Sequence, residues 1–261
     1  MSENKEQIKE VTKQLKICAH MSMPRLGFTS NMFCAMNAFT PLGIQLRAHS
    51  GAFWHVSLDQ VITEAIEDGF DVAFLVDYDT VFTPKDVEDL LRLYCLCEKA
   101  QAIVPLQAKR ESDDIIASFG KEEAALFKEK KEELFKKDLV KIKTGHMGLA
   151  LIDLHYVKAL PKPWFVSLPD SDGDYKLEKM VKEGESYTPR TDADMWFWKL
   201  MEREGLNLYL APKVKVGHIQ QIVTYPDNNL QPVYCYLNDA LASNKIQTMD
   251  WIRSKSGEKI K

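Results

Sequence analysis

Apolar residues fall along this chain in short blocks separated by polar or glycine-containing punctuation. Residues 17–20, 43–47, 102–105, 149–152 and 208–211 are runs too short for helices and suited to strands in a sheet. The run beginning at Asp71 is the most distinctive. It reads Asp-Val-Ala-Phe-Leu-Val-Asp-Tyr-Asp-Thr-Val over 71–81, apolar and partly β-branched at first, then interrupted by two carboxylates, Asp77 and Asp79. Such a run is expected of a strand buried on both faces. Between these blocks the apolar positions take helical spacing. Residues 29–39 predict a helix starting near Ser30 or Asn31, and 54–67 a second one closed by Gly69. Residues 84 to about 100 predict a third, with Pro84 at its first position, and 191–205 a fourth, with two early acids and Gly205 at its end. His49, Ser50 and Gly51 read as a turn.

The resulting order is strand, helix, strand, helix, strand, helix, strand. It implies an α/β protein with a mostly parallel central sheet and helices on both faces. In such sheets ligands gather at the carboxyl ends of the strands, where Asp77 and Asp79 lie. Residues 107–143 break the rhythm. Within them, 121–143 carries eight lysines and six acids around Leu126, Phe127, Leu134, Phe135 and Leu139. This reads as a charged helical insertion, either a solvated surface helix or a mobile, acceptor-binding arm. Residues 161–165 form an aromatic loop. The spaced acids of 170–174 have a glycine in the wrong place for a calcium loop and are read as loop. Three divisions follow: an N-terminal amphipathic helix over 1–16, with Ile8, Val11 and Leu15 on one stripe; a main domain over 17–225; and an extension over 226–261.

Composition narrows the class. The 261 residues are 45% hydrophobic and 28% charged, ordinary values for a globular protein. The net charge of −4 argues against a surface coated in basic residues for nucleic acid. The five cysteines have no zinc-site spacing and read as reduced core thiols, which favours a cytoplasmic setting. The charged first 16 residues do not resemble a signal peptide, and no apolar run approaches the roughly 20 residues of a membrane span. The loop after the first strand offers Pro24, Arg25 and Gly27 in place of a glycine-rich phosphate loop, which sets a dinucleotide site aside. Arg25 either meets a phosphate or is simply solvated.

Two acids at the end of a buried strand are costly unless a cation sits beside them. Asp77 and Asp79 therefore suggest a hard divalent ion, Mg²⁺ or Mn²⁺, carrying a diphosphate; the competing reading is a solvated turn ahead of the next helix. His218, after a late strand, is either structural or a third ligand. Asp192 and Asp194 sit in the first turn of a helix, where its dipole favours acids, yet an acid facing a cleft also serves as a general base.

Four blocks, in order, resemble a known family. These are Phe74-Leu-Val-Asp-Tyr-Asp, Gly145-His-Met-Gly-Leu-Ala-Leu-Ile, Ala193-Asp194-Met-Trp-Phe-Trp-Lys closing at Glu204-Gly205, and Tyr209-Leu-Ala-Pro-Lys-Val-Lys-Val-Gly-His218. The sequence resembles a GT-A glycosyltransferase, most like the family 2 group and its phage and bacterial relatives, over about residues 17–225. The resemblance implies a Rossmann-like GT-A fold and sugar transfer from a nucleotide-sugar donor, probed through Asp77, Asp79 and His218 as ligands of Mn²⁺ or Mg²⁺. It implies Asp194 as the base of an inverting displacement, with Asp192 as the alternative, since the family's Glu is replaced by Ala193. It points to Pro24, Arg25 and Tyr78 near the donor, and to Ser57, Asp59 and Gln60 where the family's donor contacts fall, although these do not match in type. It places Gly145, His146 and Trp164 in a loop near donor and acceptor, with Trp54, Trp196 and Trp198 as further aromatics. The phage relatives imply a bacterial or phage-infected cell and an acceptor such as a hydroxylated DNA base; glycans and proteins stay open. A nucleotidyltransferase acting on sugar phosphates and a catalytically silent nucleotide-binding domain are the alternatives.

Overall fold

The computed structural model describes residues 14–23, 27–110, 114–173 and 190–237. Pro24, Arg25, residues 174–189 of the 170–190 loop, the tail beyond 237 and all but the last three residues of the expected N-terminal helix lie outside that set.

The first half alternates as its pattern predicts. Strand β1 (Ile17–Met23) is followed by helix α1 (Thr29–Phe39), β2 (Gln45–Ser50), α2 (Trp54–Glu67), β3 (Val72–Asp77), the short β4 (Thr80–Val81), α3 (Pro84–Leu96) and β5 (Ala102–Leu106). Helix α3 starts sharply. Thr83 accepts from the Asp86 amide, Asp86 accepts from the Thr83 amide, and Pro84 occupies the first turn. It also ends four residues before the expected stop, because Cys97 leaves helical geometry and its carbonyl accepts from Ala100. Strand β2 runs three residues beyond its expected end, through His49 and Ser50, because it stays in parallel register with β1 from Cys18 and Gln45 to Met23 and Ser50. The turn expected at His49 begins instead at Gly51, whose amide donates to Met23.

The second half holds helices α4 (Lys121–Glu129) and α5 (Lys131–Leu134), β6 (Val140–Ile142), β7 (Leu149–Asp153), α6 (Leu154–Val157), α7 (Ala193–Arg203), β8 (Leu208–Lys215), β9 (Gly217–His218), β10 (Ile222–Pro226) and β11 (Pro232–Tyr236). The charged insertion over 121–143 is therefore not one helix. Its last part is an edge strand, antiparallel to β8, with Val140 and Ile142 buried and Lys141 exposed between them.

Seven strands form the central sheet in the order β2-β1-β3-β7-β5-β8-β6. Strands β1, β2, β3, β5 and β8 share one direction; β6 and β7 run the other way. The sheet is mostly parallel, as expected. Alternate residues of its strands feed two cores. Cys18, Leu75, Val104, Ile152 and Leu210 face α2 and α7; Ala19, Phe74, Ile103 and Leu151 face α1 and α3. Burial on both faces is why β3 reads as a continuous apolar run. By contact, Lys109, Arg110 and 219–237 belong to a second unit, in which β10 and β11 pair antiparallel; the boundary expected at 225/226 lies within β10.

Candidate active site

The reversed strand β7 brings the glycine block to the carboxyl edge of the sheet. Val76 pairs with Leu149, and the Asp77 amide donates to the Gly148 carbonyl at 3.0 Å. The chain then bends through Tyr78 and Asp79 into β4, which pairs antiparallel with β9, Thr80 opposite His218 and Val81 opposite Gly217. Two buried amides secure this bend. The Asn31 side chain, from α1, donates to the carbonyls of Asp77 (3.0 Å) and Thr80. The Gln107 side chain, just past β5, donates to the Thr80 hydroxyl at 3.1 Å and to the Gly217 carbonyl at 3.2 Å.

This pairing sets Asp79 against His218, 3.2 Å between carboxylate oxygen and Nε2. Asp79 is 2% exposed. His218 Nδ1 lies 3.0 Å from the Ala108 carbonyl, which only accepts, so Nδ1 carries the hydrogen. In the neutral ring the Nε2 lone pair then faces a carboxylate, an arrangement that calls for a proton or a metal cation between them. Two ligands on adjacent octahedral positions at ~2.1 Å from Mg²⁺ are about 3.0 Å apart, close to the spacing here. A backbone carbonyl fixing the ring tautomer is also a usual support for a ligating histidine. The residues thus fit a divalent cation held by at least one carboxylate and one imidazole. Among the described residues no group of three or more His, Cys, Asp or Glu side chains is arranged to hold an ion.

Asp77 interacts electrostatically with both Asp79 and His218, and it also faces a cavity. With Tyr78 it lines a cavity of about 470 Å³, together with Gly51, Ala52, Trp54, Ser167, Asp192, Ala193 and Asp194. That volume is in the range of small-ligand sites. The Asp77 carboxylate accepts from the Tyr78 amide at 2.9 Å, and the Trp54 indole donates to Ser22 at 3.1 Å. Burial, reinforced by the charge of Asp79, pushes Asp77 up to about 7. Tyr78 is stacked on Phe28, centroids 6.1 Å apart.

The opposite wall comes from the start of α7. Asp194 is pushed up to about 6, by burial first and by the neighbouring Asp192 charge, against the pull of its hydrogen bond from the Met195 amide (2.7 Å) and of Arg190. Asp192 is exposed and paired with Arg190 at 2.9 Å. Both acids reach the cavity, and the raised proton affinity of Asp194 suits a base working near neutral pH.

The remaining expected residues divide. Pro24 and Arg25 lie outside the described residues. Ser57 is buried on α2, its hydroxyl donating to the Phe53 carbonyl at 3.4 Å; Asp59 pairs with Lys162 at 3.4 Å, and Gln60 is exposed. None of these three lines the cavity. Gly145 and His146 are structural supports. The Gly145 carbonyl accepts from the Trp198 indole at 2.8 Å. His146 accepts from the Gly148 amide at Nδ1 (3.0 Å) and so donates from Nε2 to the Pro105 carbonyl (2.8 Å). Burial lowers its pKa to about 4. Trp164 is not brought to the cleft: it is 4% exposed in the core, its indole donating to Leu160. Trp198 is buried as well. Asn31, Thr80 and Gln107 were not singled out by sequence reasoning as parts of the site, since an isolated amide or hydroxyl carries no spacing signal.

No protein-family model matches the sequence, and no curated protein matches it significantly. Solved structures do match by fold. One is A197 from STIV, with a TM-score of 0.51 and 11% identity, covering 84% of this chain and 93% of that one. Another is GalNAc-T7 with UDP, GalNAc and Mn²⁺, with a TM-score of 0.50 and 10% identity over 79% of this chain, which spans 44% of that structure. A third is glucosyl-3-phosphoglycerate synthase from Mycobacterium tuberculosis with Mg²⁺ and uridine-diphosphate, at a TM-score of 0.47 and 10% identity, covering 83% of this chain and 75% of that one. At these identities the likeness is one of fold, and the mixed α/β fold seen here, a mostly parallel seven-stranded sheet flanked by helices, is the one found in GT-A glycosyltransferases.

Proposed function

We propose that this chain is a metal-dependent glycosyltransferase that moves a sugar from a nucleotide-sugar to an acceptor hydroxyl with inversion. One observation carries the reading. The Asp79–His218 pair, fit for a divalent cation, and a cavity faced by Asp194 share one edge of the sheet, joined by the three-residue link Asp77-Tyr78-Asp79. Assignment to the family 2 group rests on the four ordered sequence blocks, and GalNAc-T7, of like fold, is a structure with UDP and Mn²⁺.

In this reading Asp79 and His218 would hold the cation beside the diphosphate of the donor. When bound, the cation stabilises charge on the departing nucleoside diphosphate. Trp54 and Tyr78 provide flat walls for the base or sugar of the donor. Asp194 takes the proton of the acceptor hydroxyl. That oxygen bonds to the anomeric carbon while the carbon–oxygen bond to the diphosphate breaks, its electron pair leaving with the diphosphate. Attack opposite the leaving group inverts the centre.

The test is a thermal-shift panel of nucleoside diphosphates and nucleotide-sugars with and without Mn²⁺. The expected result is metal-dependent stabilisation by at least one diphosphate, lost in Asp79→Asn. No stabilisation by any donor would refute the reading. The stabilising donor is then offered with a hydroxylated DNA base, a glycan and a protein to find which acceptor releases the nucleotide.

A further inference from the structure

We propose that Gln107 is a positioning residue that sets the spacing between Asp79 and His218 and so the affinity of the cation site. The inference rests on the cation reading above and adds a part of the machinery that no sequence motif marks.

Strands β4 and β9 are only two residues long each. So short a ladder has little stability of its own. Asp79 directly precedes β4 and His218 ends β9, so this pairing brings the two side chains together. Gln107 bridges the ladder. It is 2% exposed, and its single amide nitrogen spends one hydrogen on the Thr80 hydroxyl and the other on the Gly217 carbonyl. One contact lies next to Asp79 in the chain, the other next to His218. The following residue, Ala108, supplies the carbonyl that orients the His218 ring. A two-residue segment leaving β5 therefore holds His218 directly and the chain neighbours of both ligands.

The space around the bridge is closed. A Cβ added at Gly148 would lie 2.4 Å from the Thr80 hydroxyl, 2.8 Å from the Gln107 side-chain oxygen and 2.9 Å from His146 Nδ1. One added at Gly217 would lie 2.5 Å from the Val81 side chain. Glycines at both places let the junction close. On the far side of the bend Asn31 holds the carbonyls of Asp77 and Thr80. The bend that carries Asp79 is thus anchored from α1 and from the residue after β5, and the imidazole by the Ala108 carbonyl.

The experiment titrates Mn²⁺ alone into the full chain and follows loss of the free-ion signal by electron paramagnetic resonance, with metal-free melting curves alongside. Wild type is expected to bind, and Asp79→Asn and His218→Ala to lose binding. Gln107→Met, close in volume but without the amide, is expected to weaken Mn²⁺ binding roughly 10–100-fold while the metal-free protein still melts in one cooperative transition. A folded Gln107→Met protein with wild-type affinity overturns the proposal. Should that variant not fold, the pair Thr80→Val and Thr80→Ser decides. Loss of affinity in the valine variant with recovery in the serine variant supports the bridge, and wild-type affinity in Thr80→Val overturns it. Failure of the wild type to bind Mn²⁺ refutes the cation reading itself, a result distinct from the failure of Gln107 alone.

Discussion

Acid should weaken this fold through His146 in a way that can be isolated from every other group. His146 is buried, accepts from the Gly148 amide at one nitrogen and donates to the Pro105 carbonyl from the other. A proton on Nδ1 would abolish the first bond and leave a charge in the core. Accordingly its pKa falls from 6.5 to about 4 on folding. The unfolded chain binds this proton more readily, so the contribution of His146 to stability is complete above pH 6.5 and is lost as pH falls towards 4. Linkage then gives a loss of about 2 kcal/mol between pH 7 and pH 5, and about 3 kcal/mol by pH 4. Asp77 and Asp194 act in the opposite sense. Their folded-state pKa values are raised, so they favour the folded state increasingly as pH falls, and the net profile of the wild type hides the histidine. Comparison with His146→Gln removes that ambiguity, because both carboxylates are present in each protein. Urea denaturation of the two at pH 7 and pH 5 is the assay. The variant should be less stable at pH 7 by about 1–3 kcal/mol, from a buried group left unpaired. The gap should shrink by about 2 kcal/mol at pH 5. Parallel pH profiles for the two proteins would refute the assigned tautomer and its burial cost.

Asp194→Asn should lower turnover by about 10²–10⁴-fold, and the wild-type rate should rise with pH through about 6 as the base deprotonates; a pH–rate profile with an identified donor checks both. His20, 1% exposed on β1, has neither ring nitrogen hydrogen-bonded among the described residues, so His20→Leu should stabilise the fold by about 1–3 kcal/mol, measured as a shift in the urea midpoint. Gly148→Ala should cost about 1–3 kcal/mol, because its methyl group meets the Thr80, Gln107 and His146 side chains at 2.4–2.9 Å, and it should weaken Mn²⁺ binding as well. Chelation of metal should abolish transfer, and Mn²⁺ should restore it, in an assay of nucleotide release.

Much of this molecule is legible in local pattern. The bounds of α1 and α2 coincide with the runs that predict them, and Pro84 begins α3 through a capping box readable as Thr83 and Asp86. The alternation of strand and helix implies the sheet, and the acids at the end of β3 imply a site at its carboxyl edge. Those features depend on contacts a few residues apart, or on burial that repeats with the period of the element. Strand β6 shows where the pattern fails. Its signal is two buried residues around one lysine, too brief to stand out in a segment dominated by charge. Strand direction is likewise invisible, since an apolar run such as β7 fits a sheet either way; only pairing with β3 and β5 decides it.

The site divides along the same line. Sequence alone put Asp77, Asp79, Asp194 and His218 forward, because charge at the edge of apolar runs is conspicuous. It treated Asp77 and Asp79 alike and gave Trp164 a place near the ligands. Tertiary structure gives the two acids different partners. Asp79 turns to His218, 139 residues away in the chain, while Asp77 lines the cavity. It buries Trp164 in the core and enlists Asn31 and Gln107, whose role is to satisfy backbone and side-chain groups brought close only by folding. Hydrophobic periodicity is written residue by residue and survives in one dimension. Hydrogen-bond partners across β4 and β9 exist only once the sheet has been assembled, and so does the spacing of the cation pair.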